Sequence, residues 1–516
     1  MSLPEFRNEP GTNFEDSTRR DLMRRALADV RLHLGTEFSL IIGAERKKGG
    51  GTFTSINPAN PNEVVAVGQL ATPSQVSEAV ETASQGFHLW RQIPPEEKMA
   101  LFLKAAGILR RRRFEAAAWL VFEVGKNWAE ADGEVAGAID ELEYVAREIL
   151  RYAEGKPTTV HASEVSFYRY VPLGVVIVIS PWNFPLVTSM GMALGAIGAG
   201  NSVILKPSSD SLVSAYLFHE VMEEAGLPPG VLNVVTGQGR AIGDALVDHP
   251  KTRMIAFTGS KEVGCRIYER AAKVWPGQHW LKRVIAEMGG KNAIVVDDEG
   301  DVKAAVAAAV VAGYGYQGQN CSACSRLVVT RNVYHEVVEA FTEQVRSLKL
   351  GPGEENFPIG PVINARAMES ILSYIRIGKS EGKLMCGGER GDGPGFYIQP
   401  TVIADVDQHA RVAQEEIFGP VVSVVPAEDF EDALQIANGT EYGLTGAVFT
   451  RNPAKIARAW ATVVCGNLWI NRKCSGGEIG VTPFGGFNMS GTDAKLGGPD
   501  YLLYFLQPTV VSIKYG

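Results

Sequence analysis

The chain has 516 residues, 45% of them apolar and 21% charged, a balance that excludes a collagenous or wholly disordered polypeptide and leaves room for two or three packed domains. Fifty Lys and Arg against 58 Asp and Glu give a net charge of −8, which argues against a general binder of nucleic acid or anionic membranes. Six cysteines are too sparse for a disulfide framework and fit a reducing compartment.

In chain order, MSLPEFRNEPGTNFEDSTRR has early acidic residues and no apolar stretch of the kind a signal peptide needs. Residues 15–35 and 74–155 predict mostly helices, with a short hairpin in AERKKGGGTFTSINPANPNEV between them. The alternating segment 155–170 predicts a β arm that pairs with the tail LLYFLQPTVVSIKY. From Val171 to Leu205 no residue is charged, long enough for a membrane span. Pro172, Pro181 and Pro185 interrupt it, however, and the β-branched run VVIVIS predicts a buried strand 175–180, a turn, a helix 186–199 and a strand 202–206. No integral membrane segment is expected. VLNVVTG, MIAFTGS and NAIVVDD are further strands, each followed by a helical pattern. Strands alternating with helices predict an α/β protein with a parallel sheet covered on both faces.

Gly313-x-Gly315-x-x-Gly318 matches a dinucleotide fingerprint literally, but it follows a helical Ala/Val run and lacks the preceding strand that gives the fingerprint its mechanism. The turns 236–239 and 257–260 are better placed to set bare N–H groups and a helix N-terminus against a phosphate, although such a turn taken alone is more often just a tight connection. Cys321-x-x-Cys324 has no second pair and no histidines at ligand spacing, so no metal is expected. A single catalytic thiol at Cys321 and an inert core cysteine remain as its two readings.

Four segments in order decide between them: SPWNFP (180–185), EMGGKN (287–292), GQNCSA (318–323) and EEIFGP (415–420), with KPSSD, FTGS and PFGGFNMSGT between and after. This set resembles the aldehyde dehydrogenase superfamily over nearly the whole chain. The resemblance implies a Rossmann-type cofactor domain (1–154 and 173–286), an α/β catalytic domain (287–482) and a small oligomerisation arm (155–172 and 493–516). It implies Cys321 as nucleophile, Asn183 with the Cys321 N–H as oxyanion donors, and Glu287 as the base for hydrolysis. Cofactor contacts implied in the same way are Ser180, Trp182, Lys206, Ser209, Gly259, Ser260, Gly289, Glu416 and Phe418. Many members have Glu where this chain has Ser209, and loss of that carboxylate opens the site to NADP beside NAD.

Within the superfamily, FRNEP (6–10), VGKNW (124–128), NRKCSGG (471–477) and GVTPFGGFNMSGTDAKLGGPDYL (480–502) are similar to the Δ1-pyrroline-5-carboxylate dehydrogenase family. That likeness implies oxidation of glutamate γ-semialdehyde to glutamate in proline catabolism, through a thiohemiacetal and a thioester on Cys321. Backbone N–H groups of Gly476 and Gly477, with Ser322, would hold the α-carboxylate, and Phe184 and Phe484 would flank the aliphatic chain. Glu130 is a candidate for the substrate ammonium, set against a solvated helical face. Departures are Gly477, Glu478, Cys474 and Cys324, the last a possible disulfide partner of Cys321. A homo-oligomer, at least a dimer, and a functional link to proline dehydrogenase are implied. The compartment would be the cytoplasm in a bacterium or the mitochondrial matrix in a eukaryote. The alternatives are a dehydrogenase for another semialdehyde or aliphatic aldehyde, and a non-catalytic nucleotide-binding or thiol-redox protein.

Overall fold

The uncharged run folds inside the protein. In the computed structural model, which describes residues 3–515, Val175–Ile179 and Ser202–Lys206 are adjacent parallel strands joined by the helix Val187–Gly198. Every residue of that helix except Val187 is buried, and so is the whole of Ser202–Lys206, which is why the sequence there shows no polar alternation. Residues 1, 2 and 516, at the ends of the expected cofactor domain and arm, lie outside the described residues.

These two strands are central in a seven-stranded sheet of order Arg283–Glu287, Thr252–Thr258, Val175–Ile179, Ser202–Lys206, Leu232–Val234, Leu40–Ile42, Glu45–Lys47. The first five run parallel, and the last two form an antiparallel edge. Register pairs Ile179 with Lys206, Phe257 with Ile179 and Thr258 with Glu287. Four turns therefore open along one carboxyl edge, where open α/β sheets bind ligands.

A second seven-stranded sheet has the order Lys383–Cys386, Thr401–Ala404, Val421–Ala427, Cys324–Thr330, Asn292–Val296, Thr445–Phe449, Asn467–Ile470, parallel except at the first strand. The predicted helical stretches resolve into Ser17–Arg31, Pro73–Trp90, Pro95–Arg111, Arg113–Val124 and Trp128–Ala153. The hairpin is Thr52–Asn57 with Asn60–Gln69, extended by Thr36–Glu37. Glu164–Pro172 pairs antiparallel with Leu506–Lys514 along nine residues, leaving Val165, Phe167, Val510, Val511 and Ile513 exposed. Among the described residues no helix is long and apolar enough to cross a membrane.

Candidate active site

Cys321 sits between the helix Val302–Tyr314 and the strand Cys324–Thr330. The chain leaves the helix through a turn in which Tyr316, Gln317 and Gly318 all have left-handed φ, +48°, +54° and +65°. At Gly318 a Cβ would lie 2.3 Å from the Gly419 carbonyl, so only glycine fits there. The glycines at 313, 315 and 318 thus end a helix and turn the chain; they form no strand-to-helix phosphate loop. The thiol loop is then held from three sides. Asn292 Nδ2 donates to the Cys321 and Ala323 carbonyls at 2.8 and 2.9 Å, Asn320 Oδ1 accepts from the Ser322 N–H and hydroxyl, and Asn183 Nδ2 donates to the Gln319 carbonyl at 3.1 Å.

Asn183 follows the strand Val175–Ile179 and is buried; one hydrogen of its amide orients it on Gln319 and the other remains available. Glu287 ends the edge strand of the first sheet, one Oε of its carboxylate buried without a partner. Burial, with the Glu416 charge adding to it, pushes Glu287 up to about 7, while a hydrogen bond from Cys321 works against the rise. Burial and the Glu287 carboxylate push the Cys321 thiol well above its ordinary value. The thiol thus rests protonated beside a carboxyl that titrates near neutrality, which places Glu287 to take its proton when the nucleophile is needed.

A cavity of about 680 Å³ runs from this pair to the carboxyl edge of the first sheet, within the range of cofactor sites. Its lining includes Ser180, Trp182, Asn183, Phe184, Lys206, Ser209, Gly259, Ser260, Glu287, Gly289, Cys321, Glu416 and Phe418. The structure therefore gathers the three expected catalytic residues, all nine expected cofactor residues and Phe184 in one space. Lys206 is buried, bonded among the described residues only to the Pro207 carbonyl, and lowered by desolvation to about 8; a buried amine with no acid partner among them suits a polar ligand. Ser260 caps the helix Lys261–Ala272 and aims its N-terminus into the cavity. Glu416 accepts from the Gly290 N–H at 2.9 Å, and a Cβ at 289 would meet its Oε2 at 2.0 Å. Phe418 meets Trp182 edge to face at 5.5 Å.

The expected substrate contacts form a neighbouring group. The Gly476 N–H donates to Ser322 Oγ at 3.2 Å, and Gly477 lies against the Phe484 side chain. Phe484 borders a small cavity with Glu287, outside the larger one. Glu478 is exposed, its N–H bonded to Thr482 Oγ1, so its charge stands in solvent. Glu130 is neither free nor on a solvated face: it completes a capping box with Asn127 and accepts from the Tyr316 N–H at 2.6 Å, fixing the turn before the thiol. Cys324 is buried in the core with Cys474, its thiol on the Arg326 carbonyl at 3.4 Å; all six cysteines are free.

Several residues escape sequence reading. Arg240, Arg366, Arg266 and Asp210 line the large cavity, brought there by the fold without a local signal. Lys126, inside VGKNW, is buried and paired with Glu134; its ammonium lies 3.9 Å from the Phe184 ring centroid and 4.6 Å from that of Tyr316. Glu134 in turn accepts from the Leu186 and Val187 N–H groups, pinning the turn that carries Asn183. The capping box of Asn127 and Glu130 corresponds to a local N-x-x-E pattern, a signal that could have placed Glu130 at a helix start.

The aldehyde dehydrogenase family model matches residues 45–511. The chain is 51% identical to the 1-pyrroline-5-carboxylate dehydrogenase of Geobacillus kaustophilus over 508 residues, 98% of this chain and 99% of that one. It is 50% identical to the protein of that name from Bacillus subtilis, with the same coverage. Among solved structures it is similar to a 1-pyrroline-5-carboxylate dehydrogenase from Thermus with bound NAD, at a TM-score of 0.99, 46% identity and full coverage of both chains. It also matches proline utilization A from Bdellovibrio bacteriovorus, TM-score 0.97 and 40% identity, covering all of this chain and 54% of that one.

Proposed function

We propose that this chain, which belongs to the aldehyde dehydrogenase family, oxidises glutamate γ-semialdehyde, the open form of Δ1-pyrroline-5-carboxylate, to glutamate, using an NAD-type cofactor. The observation that carries this reading is the meeting of Cys321, Glu287 and Asn183 at one end of a cofactor-sized cavity, beside a Ser322–Gly476 contact.

The donor set fits the cofactor. Lys206 and Ser209 would take its adenosine ribose, the N-terminus at Ser260 with Trp182 its pyrophosphate, and Glu416 its nicotinamide ribose. Gly259 and Gly289 allow close backbone approach, and Ser180 and Phe418 wall the site. When bound, it supplies a hydride acceptor. Glu287 takes the proton of Cys321, and the thiolate adds to the aldehyde carbon. Asn183's free amide hydrogen and the Cys321 N–H receive the oxyanion. That charge collapses to a thioester on Cys321 as the hydride leaves carbon. Glu287, again a carboxylate, removes a proton from water, which attacks the thioester and releases glutamate with the thiol restored. The balance is aldehyde plus water giving carboxylate, one hydride and two protons.

Gly476 and Gly477 present N–H donors for the α-carboxylate, the Gly476 N–H leaving Ser322 Oγ for the substrate, Ser322 sets its distance from the thiol, and Phe184 and Phe484 flank the chain between. An aldehyde lacking the carboxylate forgoes these charge-assisted hydrogen bonds and binds more weakly. Ser209, in place of a carboxylate, lets NADP serve beside NAD. Residues 1–154 and 173–286 form the cofactor domain, 287–482 the catalytic domain, and 155–172 with 493–516 an arm whose exposed apolar side chains support a homo-oligomer. Similarity to part of a proline utilization A chain supports a functional link to proline dehydrogenase, and the bacterial relatives support a cytoplasmic enzyme.

The test is reduced-cofactor formation with Δ1-pyrroline-5-carboxylate, succinate semialdehyde and hexanal, with Cys321→Ser as control. A strong preference for the first, lost in the variant, is expected. Activity confined to the other aldehydes would keep the chemistry and refute the substrate.

A further inference from the structure

We propose that the N-terminal segment, residues 4–12, is a strap that positions the loop selecting the substrate's carboxylate, with Asn8 as the residue coupling the two. This rests on the role given above to Gly476 and Gly477.

The segment carries the FRNEP motif and takes no part in the chemistry described so far. It is bound along the helix Trp128–Ala153 and its neighbours at every second or third residue. The Pro4 carbonyl accepts from Arg147, the Glu9 carboxylate pairs with Arg110, the Pro10 carbonyl accepts from Arg113, and Thr12 donates twice to Asp132. At its centre Asn8 Nδ2 donates both to Asp140 Oδ2 on the helix, at 3.1 Å, and to the Ile479 carbonyl, at 3.0 Å. The Glu9 N–H holds the other Asp140 oxygen at 2.6 Å. Two residues earlier, Phe6 packs edge to face on Tyr144, and both rings press on Gly480, where a Cβ would lie 3.0 Å from Tyr144 and 3.1 Å from Phe6.

Ile479 and Gly480 follow Gly476–Glu478 directly, and that stretch has little else to hold it. Gly476, Gly477 and Glu478 are exposed. The turn closes on itself through Glu478 and Thr482, touches Ser322 through one N–H, and meets the Gly497 carbonyl through the Gly480 N–H. Glycines lose much freedom when ordered, and N–H donors bind an anion well only when already aimed. Asn8 touches neither Cys321, Glu287 nor Asn183. Its contribution therefore falls on recognition of the carboxylate and not on the aldehyde chemistry, which makes it a positioning residue.

The experiment compares wild type, Asn8→Ala and Asn8→Asp with Δ1-pyrroline-5-carboxylate and with propanal, which has no carboxylate. It also follows hydrogen exchange of residues 476–482. Asn8→Ala should raise KM for the first substrate about ten-fold, the effect of one lost hydrogen bond to a loop carbonyl, with kcat held within about two-fold. Its kcat/KM for propanal should not change, and exchange in the loop should accelerate. Asn8→Asp should be worse than Ala, since it sets acceptors against the Asp140 carboxylate and the Ile479 carbonyl. Equal losses with both aldehydes, or loop exchange that stays at the wild-type rate, would overturn the proposal. A wild-type enzyme with no preference for the carboxylate-bearing substrate would instead refute the substrate reading, and the exchange data separate the two failures.

Discussion

Replacing Glu287 by Gln keeps the shape of the side chain and removes the base. The consequences differ for the two halves of the reaction. The Glu287 carboxylate is one of the groups holding the Cys321 thiol high, after burial. The variant also loses the acceptor of the Cys321 proton, but losing the charge makes the thiolate easier to form and water in the cavity can take that proton, so the first turnover should survive, slowed less than hydrolysis. Hydrolysis has no such compensation, and removing a positioned base costs roughly 10²–10⁴-fold. Stopped-flow should therefore show a burst of reduced cofactor near one equivalent per active site, followed by a steady rate lower by that factor. Intact-protein mass spectrometry should show the acyl group on Cys321. In the wild type, a Glu287 value of about 7 sets the pH profile of the slow phase. The ionised fraction is roughly a tenth at pH 6, half at pH 7 and nearly all at pH 9, so deacylation should rise about five-fold over the first interval and about two-fold over the second. Reading the steady phase after the burst keeps the pH-dependent ring opening of the substrate out of the measurement. A Gln variant with neither burst nor adduct would refute the division of labour, as would a slow phase that is flat from pH 6 to 9.

Lys126→Ala should cost about 3–5 kcal/mol in urea unfolding, because it leaves Glu134 buried without its cation; Lys126→Met with Glu134→Gln should recover part of that, and a double variant no better than Lys126→Ala would refute the pairing argument. Ser209→Glu should depress kcat/KM for NADP about ten-fold or more while sparing NAD, since a carboxylate beside Lys206 repels a 2′-phosphate; unchanged discrimination would place the 2′-position elsewhere. Glu141 is fully buried with both oxygens unpartnered, and burial raises it to about 8. A folded value above the unfolded one means its contribution is most favourable below pH 4.5 and is lost as pH rises to about 8. Glu141→Gln should thus gain on the wild type by roughly 2–4 kcal/mol between pH 5 and pH 8.5, tested by denaturant melts at both, and a constant difference would refute it.

Residues near one another along the chain were the ones that sequence reading served best. Val175–Ile179 and Ser202–Lys206 betray themselves because strands buried on both faces have no polar face to alternate with. Segments such as GQNCSA and EMGGKN are compact because a strand end and a tight turn place their residues, and they carried the expected cofactor and catalytic positions into one cavity. The rejection of the glycine pattern at 313–318 rested on a missing strand, and the left-handed turn found there accounts for the glycines. What stayed hidden is non-local. Nothing near Arg240 or Arg366 announces a cavity wall, since their place depends on how the helices pack. Lys126 lies within VGKNW, but nothing local announces that Glu134 and two aromatic rings close over it. Glu130 was weighed as a ligand contact or a solvated residue, and the local N-cap chemistry of Asn127 answered the question differently.

The bond from Asn8 to the Ile479 carbonyl spans 471 residues of sequence. On the ribosome those partners emerge about 25–90 s apart at 5–20 residues per second. During that interval the first sheet can form while the strap waits along a helix that has nothing yet to present to it. Residues 476–480, proposed above to hold the carboxylate, are made well after the strands of the first sheet and after Cys321, so a nascent chain can own a cofactor cavity and a thiol before it owns that loop. On this reading selectivity comes later than the chemistry, when two stretches made far apart in time meet.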